Sequence, residues 1–347
     1  MIRFDCDYTE GAHPKILEQL VATNMVQTIG YGEDRYCVEA AKLIKKACER
    51  EDVDVHLLVG GTQTNTTVIT SVLRPHQGVV CANSGHINIH ESGAIENRGH
   101  KVLPLACGND GKISANQILE YHRAHWSDES FEHIVQPGMV YISFPTENGT
   151  IYSRKELTDI YSVCKELSLP LFIDGARLGY GLAAASCDVT LPDLARLCDV
   201  FYIGGTKVGC LMGEAVVICN DKLKKDFRYI IKQQGGLLAK GRLLGIQFAE
   251  LFRDGLYFSI SQHAIDMAMA IREAFRARDV EFYIESETNQ QFPILNVQQV
   301  KYFAEKYSMA TWAKLTSELT AVRFCTSWAT LKENVEQLVE DIKLMPQ

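Results

Sequence analysis

Two hydrophobic patterns alternate along most of the chain. Short apolar segments typical of buried β-strands are separated by segments in which apolar residues recur at helical spacing. The predicted strands of this region are residues 53–59, 77–82, 101–104, 138–144, 169–173, 199–204 and 212–219. Such alternation predicts an α/β domain with a largely parallel sheet flanked by helices.

Capping boxes mark the predicted starts of several helices. In this pattern a serine or threonine is followed three residues later by glutamate or glutamine, just before a helical apolar stripe. It occurs at Ser114 with Gln117, at Ser153 with Glu156, and at Thr330 with Glu333. We therefore expect a helix to begin after each of these three positions.

The pattern changes after about residue 236. A long helical stretch toward Arg278 is followed by predicted strands at 291–297 and 321–328, and then by a terminal helix. We predict a large α/β domain formed by residues 1–245, including the N-terminal segment. Residues 246–347 are predicted to form a smaller C-terminal α+β domain.

Composition narrows the possible partners. The chain has 347 residues, 46% of them apolar, which is enough for a large core. Its net charge of −8 disfavours nucleic acid and anionic membranes, because an acidic surface repels phosphates. The first residues do not resemble a signal peptide and no apolar run has the length of a membrane span, so we expect a cytoplasmic protein.

The eleven cysteines are scattered, and no two of them form a C-x-x-C pair. This distribution favours reduced thiols and argues against a disulfide framework. It also gives no indication of a zinc site, so no metal is expected.

Three segments place reactive residues directly after predicted strands. Gly60-Gly61-Thr62 lies between a strand and a helix, where backbone amides can bind a phosphate. Asp174 follows an apolar strand and opens an Asp-Gly-Ala-Arg sequence that ends at Arg177. Such an aspartate can keep a pyridine nitrogen protonated, and the arginine can bind a carboxylate. Lys207 follows another strand between glycines, a setting that suits Schiff-base chemistry.

Each segment also has a purely structural interpretation. The first is a capped helix start, the second is a turn in which Asp174 and Arg177 pair, and the third is a lysine reaching from a strand end to solvent. The order of all three along one chain is more specific than any single segment.

Together these segments resemble the threonine aldolase/β-eliminating lyase family of fold-type I pyridoxal phosphate (PLP) enzymes, in particular its low-specificity L-threonine aldolase branch. The similarity extends over nearly the whole chain. Its motifs are YTEGAHP (8–14), IGYGEDRY (29–36), GGTQTN (60–65), GHINIHESGAIE (85–96), DGARLG (174–179) and GGTKVG (204–209). The resemblance implies a fold-type I architecture and PLP as the cofactor.

The resemblance also implies roles for individual residues. Lys207 is implied to bind PLP covalently, and Asp174 to pair with the pyridine nitrogen. His86 is implied to stack on the ring and is a candidate for proton transfer. The remaining implied positions are Gly61, Thr62, Thr206 and Lys240 for the cofactor, Arg177 for cofactor and substrate, Arg323 for the substrate carboxylate, Tyr31 for the substrate, and His133 near the substrate hydroxyl. Tyr31 and Lys240 are expected to act across a subunit interface.

Several positions depart from the family pattern. Thr206-Lys207-Val208-Gly209 stands where many members have Ser-Lys-Gly, and Gly60 replaces a serine. Residues 235–242 alter a glycine-rich segment whose arginine reaches a neighbouring subunit's phosphate in relatives. Lys240 or Arg242 could take that role, and the sequence leaves this choice open.

The implied reaction is retro-aldol cleavage of a β-hydroxy-α-amino acid, such as L-threonine or L-allo-threonine, to glycine and an aldehyde. β-Elimination, racemisation and transamination would use the same lysine, aspartate and arginines, so they remain alternatives. Two weaker hypotheses are a non-catalytic binding protein and a nicotinamide-dependent oxidoreductase that uses Gly179–Ala184. The resemblance further implies a homodimer or homotetramer.

Overall fold

The computed structural model describes every residue from Met1 to Gln347. Its strands are β1 (Ile2–Arg3), β2 (Asp54–Leu58), β3 (Gln77–Ala82), β4 (Val102–Leu105), β5 (Gln136–Ser143), β6 (Leu171–Asp174), β7 (Val200–Gly204), β8 (Glu214–Ile218), β9 (Gln290–Gln291), β10 (Ile294–Asn296), β11 (Tyr307–Ser308), β12 (Ala310–Lys314) and β13 (Leu319–Cys325).

The helices are α1 (Pro14–Ala22), α2 (Arg35–Ala47), α3 (Gly61–Val72), α4 (His86–Ile89), α5 (Ala115–Ser127), α6 (Arg154–Glu166), α7 (Leu178–Ala183), α8 (Leu191–Arg196), α9 (Phe227–Gln233), α10 (Arg242–Phe252), α11 (Leu256–Arg276), α12 (Val297–Ala304) and α13 (Lys332–Leu344). No helix has both the length and the apolar content needed to cross a membrane.

Seven strands form the central sheet in the order β2-β8-β7-β6-β5-β3-β4. The five strands from β7 to β4 are parallel, whereas β8 pairs antiparallel with both β7 and β2. The predicted α/β fold with a largely parallel sheet is therefore confirmed. Successive β5 residues enter different cores, Val140 on one face and Tyr141 on the other, because side chains alternate along a strand.

A smaller sheet of β9, β10, β12 and β13 is antiparallel throughout. It covers a separate core that includes Phe275, Phe303 and Phe324. The N-terminal strand β1 pairs with β11, and Phe4 is buried in this same core. The first residues therefore pack with the C-terminal unit, although we had assigned them to the large domain. The boundary at residue 245, which falls inside α10, remains a prediction.

Local signals predicted helix starts with mixed success. The capping boxes at Ser114 and Ser153 are both formed. The box at Thr330 is wrong, because α13 begins two residues later without a side-chain cap, and the Thr330 hydroxyl accepts from the Ser327 N–H at 2.8 Å instead. The long helical stretch is divided into α10 and α11 at Asp254, whose φ of 53° is not helical.

The glycine-rich segment Gly179–Ala184 has a packing function. It forms most of α7, which lies against α11. A Cβ atom at Gly179 would lie 2.2 Å from the Ser261 Oγ, so only glycine permits this close approach. This contact explains the glycine at position 179 as a packing requirement, so no bound dinucleotide is needed to account for it.

Candidate active site

Two adjoining cavities open at the carboxyl edge of the parallel strands. The inner cavity has a volume of about 270 Å³ and contains the ends of β2, β5, β6 and β7. The outer cavity, of about 660 Å³, lies between this edge and strands β12 and β13 of the smaller sheet. Five residues line both cavities: Tyr8, His86, Glu147, Arg177 and Lys207. The fold thus brings together residues from distant parts of the sequence.

The start of α3 provides an anion site in the inner cavity. Gly60 is its N-cap, no side chain caps the helix, and the first helical bond joins the Thr64 N–H to the Gly60 carbonyl at 2.9 Å. The preceding N–H groups therefore lack helical partners. Gly61 and Thr62 line the cavity at this point, so a phosphate would be bound by backbone amides and by the helix dipole.

Asp174 is buried at the end of β6, and its carboxylate accepts four hydrogen bonds. Tyr202 (2.5 Å) and the Ala176 N–H (3.0 Å) donate to Oδ1, while Tyr141 (2.6 Å) and Asn65 (3.1 Å) donate to Oδ2. No lysine or arginine forms an ion pair with it, so the structural alternative of an Asp174–Arg177 pair is excluded. A protonated pyridine nitrogen would supply the missing positive charge.

The glycine after Asp174 sets the geometry of this turn. A Cβ atom at Gly175 would lie 1.9 Å from the Tyr202 carbonyl oxygen. The absence of a side chain therefore lets the turn after β6 lie directly against the end of β7, which leads to Lys207.

Lys207 lies where the two cavities meet. Burial and the charge of Arg177 lower the pKa of Lys207, and the carboxylates of Asp7, Asp174 and Glu214 only partly oppose this shift. A lowered pKa increases the fraction of neutral, nucleophilic amine. The position and its electrostatics suit a lysine that attacks a carbonyl carbon.

Arg177 is held in an ion pair that the sequence did not reveal. Its Nε and Nη2 donate to the two carboxylate oxygens of Asp7 at 2.7 and 3.0 Å, and Asn289 adds a third donor at 2.9 Å. Asp7 is fully buried. Burial opposes its ionisation, but the charges of Arg177 and Lys207 prevail and lower the pKa of Asp7 to about 2.

Arg323 lines only the outer cavity and has no carboxylate partner. Its Nη1 donates to the Gln290 side chain at 3.1 Å, and its Nη2 donates to the Asp5 carbonyl at 2.7 Å. The guanidinium lies 5.4 Å from the centre of the Trp312 ring. All these acceptors are uncharged, so the positive charge is free to bind an anion such as a carboxylate.

His86 is oriented by Glu91, another residue that sequence reasoning missed. The His86 Nδ1 lies 2.7 Å from the Glu91 Oε1, which also accepts from Asn65 at 2.7 Å. Burial lowers the pKa of His86, but the hydrogen bond with Glu91 and the nearby carboxylates outweigh it and the pKa is raised. The carboxylate therefore keeps the proton on Nδ1.

Glu214 is a third missed carboxyl group, after Asp7 and Glu91, and lies at the start of β8. It accepts from the Thr206 hydroxyl at 2.8 Å and from the Gly205 N–H at 3.2 Å, and burial raises its pKa to about 8. Thr206, an expected cofactor-binding residue, lines the inner cavity. The Thr206 hydroxyl donates its only proton to Glu214. The side chain therefore has no hydrogen-bond donor left for a ligand in the cavity.

His133, which we expect near the substrate hydroxyl, lies away from both cavities of its own chain. It is exposed in the short turn Phe131–His133 and lines neither cavity. This turn precedes the amino end of β5, whereas the cavities lie at its carboxyl end. The length of the strand therefore separates His133 from the site.

Tyr31 and Lys240 also line neither cavity of their own chain. Their loops lie against each other, since the Tyr31 N–H donates to the Ala239 carbonyl at 3.3 Å. A role for either residue at an active site requires a second chain and stays a prediction.

A mainly parallel sheet with an anion site, a buried aspartate and a lysine at its carboxyl edge has the architecture of fold-type I PLP-dependent enzymes. A threonine aldolase structure from Leishmania major matches with a TM-score of 0.96 and 44% identity, over 99% of both chains. A histidinol-phosphate aminotransferase from Clostridium acetobutylicum has a TM-score of 0.71 at 12% identity, over 99% of this chain and 98% of the other, and shows the fold alone.

Sequence comparisons specify the family. A low specificity L-threonine aldolase from a Pseudomonas species is 30% identical over 98% of this chain and 97% of its own length. Another, from Pseudomonas aeruginosa, is 28% identical over 99% of this chain and 97% of its own. The family model for beta-eliminating lyases matches residues 5–316. The chain belongs to the beta-eliminating lyase family, which confirms the resemblance inferred from its motifs.

Proposed function

We propose that this protein is a PLP-dependent aldehyde-lyase. It cleaves a β-hydroxy-α-amino acid of the L-threonine or L-allo-threonine type to glycine and an aldehyde. The observation that carries the proposal is the position of Lys207, whose pKa is lowered. Lys207 lines both the inner cavity, which contains the anion site, and the outer cavity, which contains Arg323 without a carboxylate partner. The relatives in Leishmania and Pseudomonas that bear the name threonine aldolase support it.

The inner cavity is suited to PLP. The start of α3 would hold the phosphate, Asp174 the protonated ring nitrogen, Lys207 the carbonyl carbon, and His86 one face of the ring. When bound, PLP supplies a conjugated cationic ring that accepts the electron pair left on Cα after a bond breaks. The buried tyrosines around Asp174 keep water away and hold the carboxylate in place.

The outer cavity is suited to the amino acid. Arg323 binds the α-carboxylate through its guanidinium, since no protein anion competes for that charge. A fixed carboxylate limits rotation about the bonds to Cα and so helps to select the bond that breaks. Arg177, neutralised by Asp7, chiefly shapes the electrostatic field around Lys207.

A substrate panel tests the reaction type. L-Threonine, L-allo-threonine, L-serine and L-alanine are incubated with PLP-loaded protein, and the products are separated. Glycine with an aldehyde is the expected result. Ammonia with a keto acid would favour the β-eliminating alternative, and D-amino acids or transaminated products would favour the racemase or aminotransferase alternatives.

We further propose that the active form is a homodimer or homotetramer in the cytoplasm. Exposed apolar side chains surround the loop that contains Tyr31, namely Val21, Met25, Ile29 and Leu243. Arg242 fixes this region by donating to the carbonyls of Asn24 and Val26. An apolar surface of this kind suits a second chain, and the eleven free cysteines suit a reducing compartment.

Complementation tests the shared site. Mixing an inactive Lys207→Ala variant with an inactive variant that lacks Lys240 and Arg242 should restore part of the activity through hybrid oligomers. A fully active monomer in light scattering would contradict the proposal.

A further inference from the structure

Glu147 lies at the junction of the two cavities and has no assigned role. It follows β5, whose last residue is Ser143, and it lines the inner and outer cavities together with His86 and Lys207. It is the only carboxyl group among the five residues that both cavities share. A substrate in the outer cavity therefore has both Glu147 and Lys207 in the surrounding wall.

Only one carboxylate oxygen of Glu147 is used by the protein. Its Oε1 accepts from the His86 backbone N–H at 2.9 Å and from the Ser143 hydroxyl at 2.6 Å. Its Oε2 receives no hydrogen bond within the chain and is not among the buried polar atoms without partners. Oε2 is therefore accessible from the cavities, with its orientation fixed by the two donors on Oε1.

Among the other shared residues, Lys207 is occupied by the PLP carbonyl carbon in the proposed function, and the remaining three are poorly suited to accept a proton. Arg177 is a cation in its pair with Asp7. The Nδ1 of His86 is bound to Glu91 at 2.7 Å, so this ring nitrogen is not available to a substrate. Burial raises the pKa of Tyr8, which keeps its hydroxyl protonated.

We propose that Glu147 is the catalytic base that accepts the β-hydroxyl proton of the substrate. This rests on the proposed cleavage of a β-hydroxy amino acid. Oε2 takes the proton, the electron pair of the O–H bond becomes the second bond of the aldehyde carbonyl, and the Cα–Cβ bond breaks. Its electron pair stays on Cα until a proton is added there, which gives glycine, and Glu147 releases its own proton to solvent.

The electrostatic setting supports this role. Burial raises the pKa of Glu147, Asp174 adds to the rise, and hydrogen bonds from Ser143 and His86 oppose it. Cys81, Tyr141 and Tyr152 also face Glu147. The charged or titratable groups that line the cavities beside it are Tyr8, His86, Arg177 and Lys207. A carboxylate becomes a stronger base as its pKa approaches the working pH.

Glu147→Gln is the decisive variant, because the amide oxygen still accepts from His86 and Ser143. We expect kcat for L-allo-threonine cleavage to fall by about a hundredfold to ten-thousandfold, the usual contribution of a general base. KM should change little. Exchange of the glycine α-proton with deuterated solvent, followed by NMR, should persist because it needs no β-hydroxyl proton. PLP binding, followed by absorbance, should equal that of the wild type.

Ser143→Ala provides a second readout. Loss of its hydrogen bond raises the pKa of Glu147, so the acidic limb of the kcat/KM profile should move to higher pH. The limb should be absent in Glu147→Gln. Glu132→Gln, at an exposed site outside both cavities, is the matched control and should leave the rate and the profile unchanged.

Near wild-type cleavage by Glu147→Gln would overturn the proposal. An equal loss of substrate cleavage and of glycine α-proton exchange in that variant would also overturn it. So would an acidic limb of the kcat/KM profile that does not move in Ser143→Ala. A wild-type protein that exchanges the glycine proton but releases no aldehyde from any β-hydroxy amino acid would instead refute the proposed function.

Discussion

The two arginines of the site differ in what neutralises their charge. Arg177, which both cavities share, forms two hydrogen bonds with the fully buried Asp7. Arg323, in the outer cavity, is held by the side chain of Gln290, the carbonyl of Asp5 and the ring of Trp312, none of which carries a charge.

This difference distinguishes an arginine whose charge stabilises the fold from an arginine whose charge is available to bind a ligand. A buried ion pair has its electrostatic partner already, so a ligand gains little from it, whereas removal of one member leaves an isolated buried charge. An arginine with neutral acceptors keeps its attraction for an incoming anion. We infer that the first arginine stabilises the fold and the second binds the substrate.

The largest effect is expected at Lys207, which lies between the two arginines. Lys207→Ala should reduce turnover below detection and leave the fold intact, because the anchoring amine is lost. Borohydride reduction of the wild type followed by mass spectrometry should place the PLP adduct on Lys207. Lys232→Ala is the matched control and should retain activity, and an adduct on Lys232 or Lys240 would overturn the assignment.

Removal of Arg177 should chiefly destabilise the protein. Arg177→Ala removes the ion-pair partner of the buried Asp7, so we expect the free energy of unfolding to fall by about 3–5 kcal/mol. Urea denaturation measures this change. Asp7→Asn combined with Arg177→Ala should lose less, because no isolated charge remains. Wild-type stability in the single variant would show that the ion pair has no structural role.

Removal of Arg323 should act on binding instead. Loss of a hydrogen bond to a charged group costs about 1.5–3 kcal/mol, so Arg323→Ala should weaken glycine or substrate binding roughly tenfold to hundredfold. Stability and PLP affinity should change little. Arg323→Lys keeps the charge without the planar fork and should be intermediate. A variant that loses PLP but keeps its amino-acid affinity would exclude Arg323 as the carboxylate anchor.

The smallest effect is expected at Trp312. A cation–π contact of this kind contributes about 0.5–1 kcal/mol, so Trp312→Ala should weaken amino-acid binding about twofold to fivefold. Trp312→Phe preserves an aromatic face and should stay close to the wild type. The same titration measures both variants. An effect as large as that of Arg323→Ala would mean that Trp312 itself contacts the substrate.

Local patterns in the sequence predicted the seven strands of the central sheet and placed the principal candidate site residues at strand ends, but they missed β1, β11 and β12. Asp174 and Lys207 follow apolar strands, and Gly61 and Thr62 open a helix after another strand. In an α/β sheet the carboxyl ends of parallel strands meet at one edge, so residues at these ends converge whatever the details of packing. The capping boxes at Ser114 and Ser153 were equally local and both formed, whereas the one expected at Thr330 did not.

Partners distant in the chain could not be found in this way. Asp7 and Arg177 are 170 residues apart, and β1 pairs with β11 about 300 residues away, next to Phe4 in the C-terminal core. The location of His133 could not be found either, because a motif position does not reveal which end of a strand a residue occupies.

The sequence by itself therefore determined the strands of the central sheet and the residues at their ends, since these depend on neighbours within a few positions. It also determined the family resemblance, which rests on motifs spread along the chain. Only the tertiary structure decided which arginine is neutralised by a carboxylate, which carboxyl groups line the two cavities, and how the pKa values of those groups shift. Those properties depend on burial and on charges contributed by other elements, and both arise only when the chain is folded.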